Sequence, residues 1–270
     1  MKRTISGMNA YSKMIEAKLP EKTASYTPIS HSSVIARVRS EIVSAGYIIT
    51  GEDYRATNDG QIAVGTFRMN YKSDPNIDLC ANFINSYNKQ YAFRFSLGGI
   101  EKESGNGMLL SNSKFGSYKR VHKGSADILA AGKIKEFIKD SDEYWKELVK
   151  RKDKLKSERL KAEDIYAIMG TLFFDHKILN TMQMNTVRSE MGKPSFDYKV
   201  DENSAWALYN HIAVSLKDAH PADWMNHLQK VDGVFSDYLE LDEEDGTEIG
   251  YVDAFEEVAE FFAESRDLPF

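Results

Sequence analysis

Apolar positions along this chain recur at two different spacings. Val34, Ile35, Val38, Ile42 and Val43 fall three and four residues apart, which is one face of a helix. Ser32 or Ser33 ahead of them can accept the unpaired amide hydrogens of a first turn, and Gly46 ends the segment. An earlier short helix is expected over Met8 to Leu19, leading into a loop that holds Pro20 and Pro28. Tyr47 to Thr50 has strand character. Asn58-Asp59-Gly60 is a tight-turn signal, with Ile62 to Asn70 as its return strand. From Tyr87 to Phe95 the odd positions are Tyr, Lys, Tyr, Phe and Phe, and the even ones Asn, Gln, Ala and Arg. That period of two predicts a strand with two different faces within Asn82 to Ser96, broken by Gly98-Gly99. Gly105-Asn106-Gly107 marks another turn.

From Ser125 onward the spacing becomes helical. Ile128, Leu129, Ile134, Phe137 and Ile138 share a face, and Tyr144 to Lys161 is a charge-dense helix striped by Trp145, Leu148, Leu155 and Leu160. Ala162 to Met184 is expected as one further helix, and Gly192-Lys193-Pro194 as a break. Ser204 to Ala219 follows as a helix stopped at His220-Pro221, then a short one over Trp224 to Phe235. No internal repeat is visible. Strands early and helices late predict an α+β protein: a small antiparallel sheet in the N-terminal half, a helical C-terminal half, and not a simple oligonucleotide-binding barrel.

Charge divides the chain differently. All 270 residues carry 35 Lys and Arg against 41 Asp and Glu, net -6. Residues 236–270 hold thirteen of the acidic residues and one basic residue, Arg266, so residues 1–235 are net +6. The expected organisation is an N-terminal arm (1–30), an α+β body (31–235) that binds nucleic acid, and an acidic tail (236–270). Cys80 is the single cysteine, so neither a disulfide framework nor a multi-cysteine zinc site is expected. The six histidines lack metal-ligand spacing, and no P-loop, dinucleotide fingerprint or nucleophile–base arrangement is present. The sequence thus predicts no enzyme, no cofactor and no metal. With no secretory signal after Met1 and no apolar run near ~20 residues, it also predicts a cytoplasmic protein without a membrane partner.

The body has one stretch suited to single-stranded nucleic acid. Asn82 to Lys123 contains seven basic residues, two acidic ones and seven aromatics. Such binding needs cations for phosphate and flat rings for bases, each stacked base contributing ~1–3 kcal/mol. Lys89, Arg94, Lys114, Lys119, Arg120 and Lys123 are the candidate phosphate contacts, and Tyr87 and Tyr118 the candidate stacking rings. Tyr91, Phe93 and Phe95 are expected to be the core face of the strand. Lys150, Arg151 and Lys152 are a second candidate, a phosphate-tracking helix face. The competing reading is an ordinary solvated face, with Asp153 and Glu158 nearby to pair with it.

Two resemblances add to this. The chain ends Asp267-Leu268-Pro269-Phe270, which resembles the acidic-tail tip of bacterial single-stranded DNA-binding proteins. In that family the terminal Phe and its carboxylate enter a pocket with a basic rim on replication and repair partners. The resemblance implies docking of a polymerase, helicase, nuclease or RNA polymerase through Asp267, Leu268, Pro269 and Phe270. Ser265-Arg266 departs from a purely acidic approach to the tip. The body resembles a family of uncharacterised phage- and plasmid-encoded proteins across roughly residues 30 to 220. The likeness lies in Asn85-Ser86-Tyr87-Asn88-Lys89, Phe95-Ser96-Leu97-Gly98-Gly99, Asn106-Gly107-Met108, Lys119-Arg120-Val121-His122 and Ser204-Ala205-Trp206-Ala207-Leu208-Tyr209-Asn210. Members of that family often have Cys where this chain has Gly105. Together these features predict a phage-type single-stranded DNA-binding protein of replication or recombination, acting in the host cytoplasm. The alternatives are a single-strand annealing recombinase and, from another class, an anti-defence inhibitor that mimics DNA.

Overall fold

The computed structural model describes residues 4–111, 117–220 and 222–240. The protein is α+β, with an open antiparallel sheet in the N-terminal half and helices in the C-terminal half. The strands are β1 (Thr4–Ser6), β2 (Ile48–Thr57), β3 (Ile62–Asn70), β4 (Ile77–Ser86), β5 (Phe93–Glu101), β6 (Gly107–Met108) and β7 (Tyr118–Arg120). They lie in the order β1-β2-β3-β4-β5-β6, and β7 also pairs with β5. One edge of β5 is therefore shared. Phe93 to Phe95 pair with β7, while Gly99 and Ile100 pair with β6.

The helices are α1 (Gly7–Glu16), α2 (His31–Ser44), α3 (Ala126–Lys139), α4 (Ser141–Ser157), α5 (Ala162–Gly170), α6 (Thr181–Gly192), α7 (Ala205–Ser215) and α8 (Trp224–Leu239). Helix α2 is capped by Ser30, whose hydroxyl accepts the Ser33 amide at 3.3 Å, rather than by Ser32 or Ser33. The expected single helix over Ala162 to Met184 is two. A π turn over Thr171–Asp175 ends α5, and a reciprocal cap between Asn180 and Gln183 begins α6 afresh. The first thirty residues are not a separate arm: β1 pairs with β2, and Ala10 and Met14 of α1 are fully buried. At the other end α8 runs past residue 235, burying Phe235 and Ser236.

Pairing register sorts the sheet into two faces. Tyr54, Gly65, Phe83 and Phe95 lie in one row across β2, β3, β4 and β5. This face meets the helices: the Phe95 ring is 5.9 Å from Phe137 of α3, and Tyr54 is 5.1 Å from Tyr11 of α1. Burial of these rings, with Val34, Ile35, Val38 and Ile42 of α2, forms the core. Two elements differ from the sequence expectation here. The alternating stretch 87–95 is mostly a hairpin connection, since β4 ends at Ser86 and β5 begins at Phe93. Gly98-Gly99 does not break the strand but lies within it, because a Cβ on Gly98 would fall 2.5 Å from Leu109 and one on Gly99 3.0 Å from Leu148. Phe93 and Phe95 are fully buried and Tyr91 is half-buried.

Gly65 is held to the same constraint, with Phe83 Cε1 2.2 Å from where its Cβ would sit. Gly65→Ala should therefore destabilise the fold by roughly 1–3 kcal/mol through displacement of a buried ring. A urea midpoint that falls with an unchanged slope is the expected reading. A midpoint equal to that of the unsubstituted protein would show that Phe83 moves freely.

Candidate nucleic-acid interface

Strand β7 is the outer strand beside the first half of β5, and its side chains alternate between the two faces. Lys119 pairs with Arg94 and shares its face; Tyr118 and Arg120 pair with Phe95 and Phe93 and share the helix side. Lys119 and Lys123 are exposed, and Arg120 is half-buried with its Nε lacking a hydrogen-bond partner among the described residues. Tyr118 is half-buried, its ring edge-on to Phe93 at 6.3 Å. Burial pushes its phenol up, while the positive charges of Arg120 and Lys133 oppose that shift. Lys89 is exposed at the hairpin with a left-handed backbone (φ 62), and its ammonium lies 4.6 Å from the Tyr26 ring centroid. Cations therefore follow the outer edge of the sheet on both of its faces.

On the face away from α1 to α3, register aligns Arg55, Val64, Ile84, Arg94 and Lys119 in one row across five strands. The Arg55 guanidinium lies 5.6 Å from the Trp224 ring centroid at the start of α8. Near Arg94, Tyr91 stacks on His220, centroids 5.7 Å apart and planes within 9°. Burial lowers the pKa of both arginines, opposed at Arg55 by Asp53 and at Arg94 by Asp223 and Tyr91. The neighbouring row is polar: Thr66 donates to Asn82 Oδ1 at 2.9 Å, and Ser96 is fully buried with its hydroxyl unpartnered among the described residues. Nothing in the sequence groups Arg55, Tyr91, His220 and Trp224. They come from β2, the β4–β5 hairpin, the α7–α8 connection and the start of α8, and only strand register and helix packing bring them together.

Three expected contact residues lie inside the protein. Tyr87 is 5% exposed, stacked on His31 at 3.7 Å, and its hydroxyl accepts the His31 amide at 2.8 Å. It is part of the packing between α2 and β4 and offers no face to a base. Arg151 and Lys152 are likewise buried. Tyr144, Leu148, Arg151, Lys152 and Leu155 form the inward stripe of α4, so helical rotation turns these two cations into the protein. Arg151 donates to Ser236 and pairs with Asp232 at 3.9 Å, and Lys152 pairs with Asp74 and with Asp153 at 3.0 Å. Lys150 alone of that run is exposed. Lys114 and the tip Asp267, Leu268, Pro269 and Phe270 lie outside the described residues.

No group of three or more His, Cys, Asp or Glu among the described residues could hold a metal ion. No helix among them is long and apolar enough to cross a membrane. No protein-family model, curated protein or solved structure matches this chain. The resemblances drawn from the residues therefore stand on the sequence alone.

Proposed function

We propose that this protein binds single-stranded DNA along the β5–β7 edge, without catalysis, in replication or recombination of phage type. The observation that carries this reading is the pair Arg94 and Lys119, side by side at the β5–β7 edge, with the half-buried Tyr91 ring beside Arg94. Phosphates are attracted by the cations, and unpaired bases stack on flat rings whatever their sequence. Lys89, Arg120 and Lys123 extend the positive edge, and Tyr118 adds a half-buried ring. The acidic residues 236–270 supply the second part of the proposal: they recruit partners through Asp267 to Phe270 and compete with phosphate for the same cations.

The test is fluorescence anisotropy with a labelled oligo-dT over a range of salt. The full chain should bind at low salt and weaken steeply as salt rises. Replacing Lys119, Arg120 and Lys123 together by Ala should flatten the slope of log K against log salt by about 2, since each lost single-strand phosphate contact removes about 0.7. A chain ending at Glu240, which keeps all of α8, should bind the strand more tightly than the full chain. No binding by either chain at low salt would remove the proposal, and an unchanged salt slope in the triple variant would remove the edge from it.

A further inference from the structure

A cavity of about 340 Å³ lies between the 194–202 segment and α7. Its lining residues include His211 and Ala207 of α7 with Phe196, Asp197, Tyr198 and Glu202. Asp197 and Glu202 are exposed, whereas Tyr198 and His211 are 5% and 3% exposed.

Behind the imidazole stands a second buried group. Glu190 of α6 has Oε2 4.0 Å from His211 Nδ1, and its carboxylate is fixed by the Ser195 hydroxyl at 2.5 Å and the Ser195 amide at 3.0 Å. Nδ1 itself has no hydrogen-bond partner among the described residues. Burial lowers the pKa of His211 and the Glu190 charge opposes that shift. A carboxylate facing Nδ1 favours the tautomer with its proton there, leaving the Nε2 lone pair as an acceptor. Tyr198 is oriented by Asn106, whose Nδ2 donates to its hydroxyl at 3.2 Å, and its ring lies edge-on to His211 at 5.8 Å. A buried imidazole and an anchored tyrosine thus stand at the wall of one cavity, with a fixed carboxylate behind the imidazole.

The charge balance selects the ligand. Asp197 and Glu202 line the cavity and no Lys or Arg among the described residues does; Glu190 stands behind His211, and the Lys217 ammonium lies 5.2 Å from the Phe196 ring centroid. Lys217 is held there by the Ser104 carbonyl at 2.7 Å. Two lining carboxylates with no lining Lys or Arg favour a positive guest, and aromatic faces bind cations through their negative quadrupole. We propose that this pocket binds a small organic cation, an amidinium, guanidinium or ammonium on an apolar body, with Asp197 and Glu202 facing the charge, Tyr198 flanking it and His211 accepting an N–H. The site is separate from the strand-binding edge and does not rest on the nucleic-acid reading.

The experiment uses the full chain with its histidine rings labelled for NMR, the His211 signal being assigned by its loss in His211→Gln. Benzamidine and acetyl-arginine-amide are the cationic probes; benzoate is the matched anion. Both cations should shift the His211 signal saturably, and benzoate should not. Tighter binding of benzamidine assigns the pocket to a free small molecule, and tighter binding of the capped arginine assigns it to a partner's side chain. Asp197→Asn with Glu202→Gln alters only exposed side chains. The Asp197 carboxylate accepts the Lys199 amide at 2.9 Å, and the carboxamide oxygen that replaces it can accept the same bond. That double variant should bind roughly five- to tenfold more weakly, as expected for two partly screened charge contacts. No saturable shift with either cation, an equal response to benzoate, or unchanged affinity in the double variant would each overturn the proposal.

Discussion

Asp74→Ala should destabilise the protein by about 3 kcal/mol, because it removes the buried counter-charge of the Lys152 ammonium and leaves it only the exposed Asp153 carboxylate. Both side chains are nearly inaccessible, at 7% and 3% exposed. Asp74 is also a turn anchor: Oδ1 accepts the amides of Asn76 at 2.8 Å and Ile77 at 3.0 Å, at the entry to β4. Burial by itself would raise the Asp74 carboxyl, but Lys152 and these amides outweigh it and hold it below the usual aspartate value. The pair ties the β3–β4 connection to α4, and Lys156 adds a bond to Asn76 Oδ1 at 2.9 Å. Replacing both partners, Asp74→Ala with Lys152→Met, should recover much of the loss, since an apolar side chain needs no counter-charge. Urea unfolding of the two variants at neutral pH tests this. If Asp74→Ala unfolds at the midpoint of the unsubstituted protein, the pair has no part in stability.

Acid should unfold this protein from a pH at which its carboxylates are still ionised. His31 is fully buried, with Nε2 3.1 Å from the Gly60 carbonyl and Nδ1 2.9 Å from the Asn85 amide nitrogen. Nε2–H donates to Gly60, so Nδ1 is the acceptor; protonating it would set two donors face to face. Burial pulls His31 down to about 3 from an ordinary 6.5; the Gly60 bond opposes this and His122 adds to it. His122, His211 and His227 are shifted in the same direction, burial being the largest cause in each. The unfolded chain thus takes up protons that the folded chain refuses. The contribution of His31 is fully present above pH 6.5 and is lost progressively as pH falls toward about 3. Each pH unit in that window removes about 1.4 kcal/mol, so between pH 7 and pH 5 the loss from His31 alone is about 2 kcal/mol. Urea midpoints at stepped pH should show the decline, and His31→Gln, though less stable at pH 7, should show a slope smaller by about one proton. An identical slope in that variant would remove His31 from the account.

Much of the fold was legible before any coordinates. Strand β3 was expected over its actual residues, and α+β followed from strands early and helices late. The spacing of Val34, Ile35, Val38 and Ile42 placed α2, because an apolar stripe is a local property of the chain. The candidate site was legible in part. Lys119, Arg120 and Lys123 lie along one edge because they are close in sequence and the chain there runs beside β5. Arg55, Trp224 and His220 could not be read, because sequence neighbours carry no record of which strands share a row.

The errors have the same origin. A lysine beside an arginine on a helix has the same letters whether it faces water or a buried aspartate. Asp74 lies 78 residues before Lys152, and no local pattern links them. Tyr87 has the composition of a stacking ring, yet His31 occupies its face from 56 residues away. Composition and spacing by themselves determined the strand-then-helix order, the segregation of acidic residues into 236–270 and the basic-aromatic character of 82–123. The tertiary structure alone decided which of those cations and rings face outward and which face one another. Burial and pairing depend on contacts across the sheet, and a buried charge is stable only where a distant partner has been brought to meet it.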